Sequence, residues 1–583
     1  MAKKVLALSL FPALTSAAGE EVQKPMAPPG EPEIRAPYNP GPFKRFLVSP
    51  SAPVRFLFSE KGKQLLRNSP NPEARELLRA LGEEVTDQNT MPPLPEEGTA
   101  RSTIPPLPAP KPRLSTTIGC GSSVGALFNK EPSTFALPQN EQSVDFLPWG
   151  AGQFLVVGGS NDYRAFGFTG YYGDRKETDC KPDFEGGLPP VADPLDAGDK
   201  LFGGGDPVIA ADPVRKVFFA ADLRYDPTTT GIGIFRTPMS YLLSTTKCPN
   251  GTHTSAQAAS CWQTKKVINP LPGTFVSYFQ DKPHLAVDER ARGIGAGNVY
   301  ITGTEFDFFG AFSRIWLVAC NNFLNQCSVP IIVSGLDTQT QFSHVSVRPD
   351  GKITITYVSV PKYGTFDIKY VSCNPATPPA TPSCSPPKLV FHETRPIPFG
   401  GQLAAQDFRI ATYPKHAHRI SNGKIETIVV WDRCRVPIIG ICPDADIVAR
   451  FTTNNGSTWS PLKCVACFNQ DQFFPWVVAD RQKNAFLVAY YTSHGDYYQH
   501  RLWVWLTDFK AGSRTPHLHP VTTFPTDPSG DFFLGGLFFG DYIGIAARNG
   551  RAYVHYTYNF RQGNYSGILA PQQDNYLKRI TYP

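Results

Sequence analysis

Charged and amide side chains recur in this chain at one repeated place, just before or just after short apolar runs. Glu141, Asp206, Asp281, Lys282, Gln341, His344, Asp407, Arg409, Gln472 and Asp541 open such runs. Asp162, Arg164, Arg224, Glu305, Asp307, Asp432, Arg433, His494 and Tyr556 close the runs that follow. Carboxylates, guanidinium groups and a phenol gathered on one rim could bind a polar ligand and move a proton on it. A rim Asp or Arg also has a structural use, capping a loop or pairing with a neighbour. Other constellations carry less. His416-Ala-His418 and His517-Leu-His519 place two imidazoles on one strand face, the start of a metal site. Neither has an acidic or Cys partner nearby in sequence, so both pairs are expected at the surface. The acidic loop 193–199 could hold a structural calcium through oxygen ligands, though nothing in it matches a helix-loop-helix calcium site. Cofactors are otherwise not expected. There is no serine elbow, phosphate-binding loop or dinucleotide fingerprint.

The elements that must position the rim residues come from a repeat. Seven copies of one phrase begin at 143, 205, 281, 342, 407, 474 and 540, spaced by about 60–77 residues. Each copy is an apolar strand, a turn, and a second strand rich in Val, Ile, Tyr and Phe. The register shows best in Asp206-Pro207-Val208-Ile209-Ala210-Ala211-Asp212, Lys282-Pro283-His284-Leu285-Ala286-Val287-Asp288 and Phe474-Pro475-Trp476-Val477-Val478-Ala479-Asp480. Each repeat has room for four strands, one propeller blade. The expected fold is therefore all-β, a propeller of seven blades with six as the alternative, over 116–583. The long regular period favours it over a sandwich or a β-helix. Residues 576–581 can supply an outer strand of the last blade, and the segment before Gln139 can close the ring from the other end. In a propeller, first-strand starts and second-strand ends meet on one rim, which gathers the residues above.

Composition sets the setting. The 583 residues are 41% hydrophobic, enough for a large core, and the net charge of +6 is mild. No Lys/Arg run is dense enough for nucleic acid, so none is expected as a partner. Residues 1–18 read as a secretory signal: Lys3 and Lys4, an apolar stretch, then small residues before Gly19. No other apolar run approaches a membrane span. Residues 19–115 form a proline-rich arm with one short helix expected from Asn71 to Leu81; a propeptide, a tether or an arm lying on the propeller would all fit. The 12 cysteines fall into close pairs, 248/261, 320/327, 373/384, 434/442 and 464/467, leaving Cys120 and Cys180. In an exported chain these read as disulfides, with Cys464-Val-Ala-Cys467 a structural bridge because no βαβ pattern surrounds it.

The turn Thr452-Thr453-Asn454-Asn455-Gly456-Ser457-Thr458-Trp459 resembles an Asp-box, S-x-D-x-G-x-T-W, with Asn454 in the place of Asp. With Phe128-Asn129-Lys130-Glu131-Pro132, Gln139-Asn140-Glu141, Asn161-Asp162-Tyr163-Arg164 and Gly540-Asp541-Tyr542-Ile543-Gly544-Ile545-Ala546, it makes residues 118–583 resemble the sialidase-like, Asp-box (BNR-repeat) propellers of exported bacterial proteins. Where true sialidases carry an F/Y-R-I-P motif, this chain has Tyr163-Arg164-Ala165-Phe166 and Phe235-Arg236-Thr237-Pro238. The resemblance implies a glycoside hydrolase of the exo-α-sialidase kind, secreted or periplasmic, acting on a glycan or glycoconjugate. Such a mechanism needs an Arg cluster on the sugar carboxylate, a Tyr paired with a Glu as nucleophile, and an Asp moving the proton. On that model the clamp is Arg164, Arg224 and Arg433, with Arg409 in reserve. Asp206 or Asp162 is the acid/base, Tyr556 with Glu305 the nucleophile pair, and Glu141, Asp281, Asp407 and Asp541 further substrate contacts. The alternative function is a non-catalytic propeller that binds glycan or protein at the cell surface.

Overall fold

The computed structural model describes Cys120, residues 124–129 and 137–582, apart from 165–167, 177–179, 194–199, 226–229, 269–277, 308–311, 363, 437–440, 532–533, 535 and 566–567. The expected signal, the arm, its helix and the proposed calcium loop beyond Asp193 lie outside the described residues. Among the described residues two short α-helices, Met239–Leu243 and Ser255–Cys261, and one 3-10 turn, Pro528–Gly530, interrupt otherwise all-β structure. No helix among the described residues is long and apolar enough to cross a membrane.

Each sequence repeat is an antiparallel hairpin at the inner edge of a sheet. The inner strands are Gln139–Gly150, Val208–Asp212, Tyr278–Val287, Thr340–Val347, Lys415–Ser421, Gln472–Asp480 and Gly544–Arg548. Each lies against the next, and Gly544–Arg548 lies against Gln139–Gly150, so the inner strands run round a central channel. The last sheet, ordered outward, is Gly544–Arg548, Arg551–Tyr558, Asp574–Thr581 and Ala126–Leu127. The segment before Gln139 and the last strand thus share one sheet, as the sequence suggests. Gln142 of the first inner strand donates to Thr557 Oγ1 (2.7 Å) and Asn575 Oδ1 (3.1 Å) across that junction.

The strands are nearly continuous apolar runs because they are buried on both faces by neighbouring sheets. Phe218 and Ala220 of one sheet pack in the same cluster as Leu155 and Tyr171 of the sheet before it. Inner strands are also tied sideways by side chains. Ser143 Oγ and Asp145 Oδ2 accept the backbone N–H of Ile209 (2.9 Å) and Ala211 (2.7 Å). At one end of the channel Arg548 pairs with Asp145 (3.2 Å) and Glu289 (2.9 Å), and Arg481 with Glu289 (3.4 Å).

The cysteines form the six disulfides that the spacing suggests, Cys120–Cys180 included, which fits an oxidising compartment. The turn at 452–459 is built as its motif predicts. Asn454 Oδ1 accepts Thr458 N–H (2.9 Å), Gly456 sits at φ +72°, and Trp459 meets the Tyr370 ring edge-on at 5.5 Å. Two expectations change. The inner strand of the fifth repeat begins at Lys415 and not near 407. Arg409 instead belongs to a small sheet of Gly401–Leu403, Arg409–Ile410 and Ile441–Cys442. His416 and His418, expected at the surface, are buried at 1% and 2% exposure because their strand faces the channel.

Candidate functional site

At the channel end opposite the Arg548–Glu289 network, the inner strands begin with an irregularity. Register slips between Asn140 and Ser143, Asp281 and His284, Gln341 and His344, and Phe473 and Trp476. The slipped residues Glu141, Lys282, Phe342 and Phe474 adopt φ of +57°, +47°, +62° and +52°, and Asp206 at the matching place adopts +55°. Three of them, Asp206, Lys282 and Phe474, precede proline, which cannot donate to a ladder and so is tolerated where pairing breaks. Left-handed backbone at a non-glycine residue is costly, and it persists here at the same place in successive strands. Bulges of this kind re-aim side chains. Here Glu141, Asp206 and Lys282 meet one another.

Lys282 is the hub. Its Nζ lies 3.3 Å from Glu141, 3.0 Å from Asp206 and 2.7 Å from Asp541. Arg409 forks onto Asp541 at 2.9 and 2.5 Å. Asn161 donates to Glu141 (2.5 Å) and accepts the N–H of Asp206 (2.8 Å). Gln341 donates to Asp281 at 3.1 Å. Glu141, Asp206, Asp281 and Lys282 are each at most 2% exposed. The Arg409 side chain, at 26% exposure, is the cluster's outlet to solvent. Four carboxylates share two fixed cations, so the protonation states are driven apart. Burial, then the Asp206 charge, pushes Glu141 well up. Burial raises Asp281 to about 8. Burial works against the charged form of Asp541 too, but Arg409 and Lys282 outweigh it and hold that carboxyl below the usual range. Lys282 is likewise held charged by Asp206, Asp541 and Glu141 in spite of its burial. Acid and base forms of carboxyl groups therefore coexist around one ammonium, the arrangement that proton transfer to a polar substrate requires.

Beyond this cluster the channel is lined by His284, His344, His416, His418 and Trp476 around a cavity of about 200 Å³. Hydrogen bonds run from His344 Nδ1 to His416 Nδ1 (3.1 Å), and through Thr354 Oγ1 from His416 (2.8 Å) to His418 (2.7 Å). Burial holds all four imidazoles below their ordinary range, His416 at about 3. They are neutral in the fold.

The other residues singled out from the sequence have different surroundings. Arg164 is bound by Asp162 (2.8 Å) and Arg224 by Asp222 (2.7 Å), while Arg433 reaches Glu393 (2.9 Å). Each guanidinium thus has an acidic partner of its own, in three different sheets. Asp162 also accepts from the Tyr172 hydroxyl (2.6 Å). Tyr556 donates to the carbonyl of Val124 (2.7 Å), and Glu305 accepts from Arg314 (2.7 Å) and Gln280 (3.0 Å), so this pair has separate partners. Asp407 is exposed. The structure thus gathers Glu141, Asp206, Asp281, Asp541 and Arg409 with Lys282. Asn161, Tyr413, Lys415, Trp476 and Tyr542 join them from positions that sequence reasoning passed over. Trp476 had a signal, the proline before it at the phase of Pro207 and Pro283, and Asn161 and Tyr542 stand in the phrases that carry the family resemblance.

No family model matches the chain, and no curated protein does. Solved structures overlap it in part. A sialidase titled Hadza microbial sialidase Hz136 aligns at TM-score 0.37 and 10% identity, over 64% of this chain and 65% of its own. The α-L-arabinofuranosidase arb93a of Fusarium graminearum aligns at 0.36 and 9%, over 66% and 97%. AofleA of Arthrobotrys oligospora aligns at 0.35 and 8%, over 70% and 94%.

Proposed function

We propose that this chain is an exported seven-bladed propeller acting on glycans, with the Lys282 carboxylate cluster as its glycosidase centre. The observation that carries the reading is the convergence of Glu141, Asp206 and Asp541, from the starts of three other inner strands, on Lys282, with Asp281 beside it in sequence. Hydrolysis of a glycosidic bond needs one protonated carboxyl to donate to the leaving oxygen and one ionised carboxylate on the other side of the ring. Glu141, with its raised pKa, suits the donor. Asp541, held ionised, suits the base or nucleophile. Arg409 at the outlet receives the sugar hydroxyls or carboxylate. This site is preferred to the triple-Arg clamp with Tyr556 and Glu305, because the members of that set stand apart, each with partners of its own. Export through residues 1–18 accords with the six disulfides. A second reading, glycan binding without hydrolysis, draws on the near-complete burial of Glu141, Asp206 and Asp281.

The test is a panel of chromogenic glycosides, sialosides included, with purified chain and with Glu141→Gln and Asp541→Asn. On the first reading either substitution lowers kcat about 10²–10⁴-fold while circular dichroism stays unchanged. Turnover absent from the whole panel, with glycan binding retained on an array, would support the second. Turnover lost with Arg164→Ala but kept in both carboxylate variants would return the site to the sialidase-like clamp.

A further inference from the structure

The seven inner hairpins turn at the channel end away from Lys282, so their tips share one face of the molecule. Neighbouring tips are tied together. Lys216 Nζ donates to the carbonyl of Pro148 (3.1 Å), Arg215 to that of Arg290 (3.3 Å), and Arg290 to that of Asp350 (3.1 Å). The loop after strand Ser313–Cys320 joins them, with Asn322 Nδ2 donating to the carbonyl of Gly297 at 3.5 Å. On these linked tips stand four large apolar side chains: Trp149 at 39% exposure, Val214 at 49%, Ile294 at 66% and Phe323 at 63%. One exposed apolar residue is ordinary, but four on adjoining tips in one sector mark a surface that meets something.

The same face is basic. Arg292, Lys424 and Lys483 of the hairpin tips are exposed, and Lys216 and Lys352 are half-buried. The acids of these tips that reach solvent are Glu289 and Asp350, and they already pair with Arg548 (2.9 Å) and Arg348 (2.8 Å). Arg236 lies over the Phe323 ring at 5.0 Å, its apolar stem and charged head sharing the edge of the patch. The arm of residues 19–115 is nearly balanced in Lys/Arg and Asp/Glu, so it does not complement this face by charge. A soluble polyanion would use the cations but gain nothing from burying Ile294, Val214 and Phe323. A lipid surface uses both, since anionic headgroups attract the cations and the interfacial layer takes up apolar tips and an indole ring.

We propose that this face docks the chain on an anionic lipid bilayer, with Trp149, Val214, Ile294 and Phe323 entering the interfacial layer between basic hairpin tips. Docked so, the Lys282 mouth at the other end of the channel points away from the lipid. The proposal is independent of glycosidase activity.

The experiment is co-sedimentation of the full chain, at low ionic strength, with vesicles of phosphatidylcholine alone and of phosphatidylcholine and phosphatidylglycerol in equal parts. The mixed vesicles should bind at least about tenfold more strongly, and added salt should weaken that binding. Ile294→Ser with Phe323→Ser, and separately Arg292→Glu with Lys424→Glu, should each lower it at least about tenfold. Tyr497→Ser with Tyr498→Ser removes exposed rings from the opposite face and should leave it unchanged. All of these positions are exposed, and circular dichroism checks that each variant keeps its fold. Wild-type protein that shows no preference for the mixed vesicles overturns the proposal. So does binding that dextran sulfate competes away and that Ile294→Ser with Phe323→Ser leaves intact, which would make this a face for soluble polyanions.

Discussion

At the residue scale, Lys282 is the decisive side chain of the channel mouth. Three carboxylates lie within 3.3 Å of its Nζ, and it is 2% exposed. Removing one partner of a buried ion pair leaves the other charges uncompensated in a poorly solvated place. Lys282→Met should therefore lower the unfolding free energy by about 3–5 kcal/mol in urea titrations. Adding Asp541→Asn to that variant should recover part of the loss, since one of the stranded charges goes with it. A Lys282→Met midpoint equal to wild type would mean the cluster is solvated and the distances do not describe its energetics.

At the scale of elements, hairpins and disulfides divide the work of holding the sheets. Cys120–Cys180 spans 60 residues and pins the chain just before the first sheet to its outer part, whereas Cys464–Cys467 spans 3. In the chain-entropy account a longer closed loop restricts the unfolded chain more. Replacing Cys120 and Cys180 by Ser should cost about 2–4 kcal/mol. The same change at Cys464 and Cys467 should cost clearly less. Differential scanning calorimetry of the two variants checks this; equal losses would mean that local packing around each bridge outweighs loop length. The bulges act at the same scale. They turn five strand starts left-handed and thereby place charge or aromatic rings around the channel mouth.

For the molecule as a whole, pH sums over buried groups of both kinds. Burial raises Asp281 to about 8, Asp432 and Asp471 to about 7, and Asp222 to about 6. The unfolded chain gives up these protons near pH 4 while the folded chain keeps them, so each raised carboxyl removes stability as pH climbs from about 4 to its folded value. The buried histidines work in the other direction. They stay neutral in the fold but charge in the unfolded chain below about pH 6.5, so their contribution is lost on acidification. At pH 6.5 the unfolded imidazoles are still about half charged, and Lys415, held well below the usual lysine range by burial, also adds stability as pH rises. The carboxyl contribution is therefore read as a difference: between pH 6.5 and 8.5 the urea midpoint of Asp281→Asn should rise relative to that of wild type. Parallel curves for the two proteins would refute a protonated Asp281 at the channel mouth.

Much of this was legible in the order of residues. The repeat, with Pro207, Pro283 and Pro475 at one phase, determined the hairpins and their inner edge, because strand periodicity and proline's missing donor are local properties. The cysteine spacing suggested the local disulfides for the same reason, since most bridges join neighbouring turns, while the connectivity, Cys120–Cys180 above all, was decided by the fold. It also followed that Glu141, Asp206, Asp281 and Asp541 would stand at strand starts. That these four share Lys282, while Arg164, Arg224 and Arg433 turn to carboxylates of their own, was decided only in three dimensions. Salt-bridge choice depends on ångström separations across sheets whose members are up to 400 residues apart, as with Glu141 and Asp541. The burial of Lys415, His416 and His418 belongs to the same class. A strand does not reveal which of its faces meets water until the ring around the channel is closed.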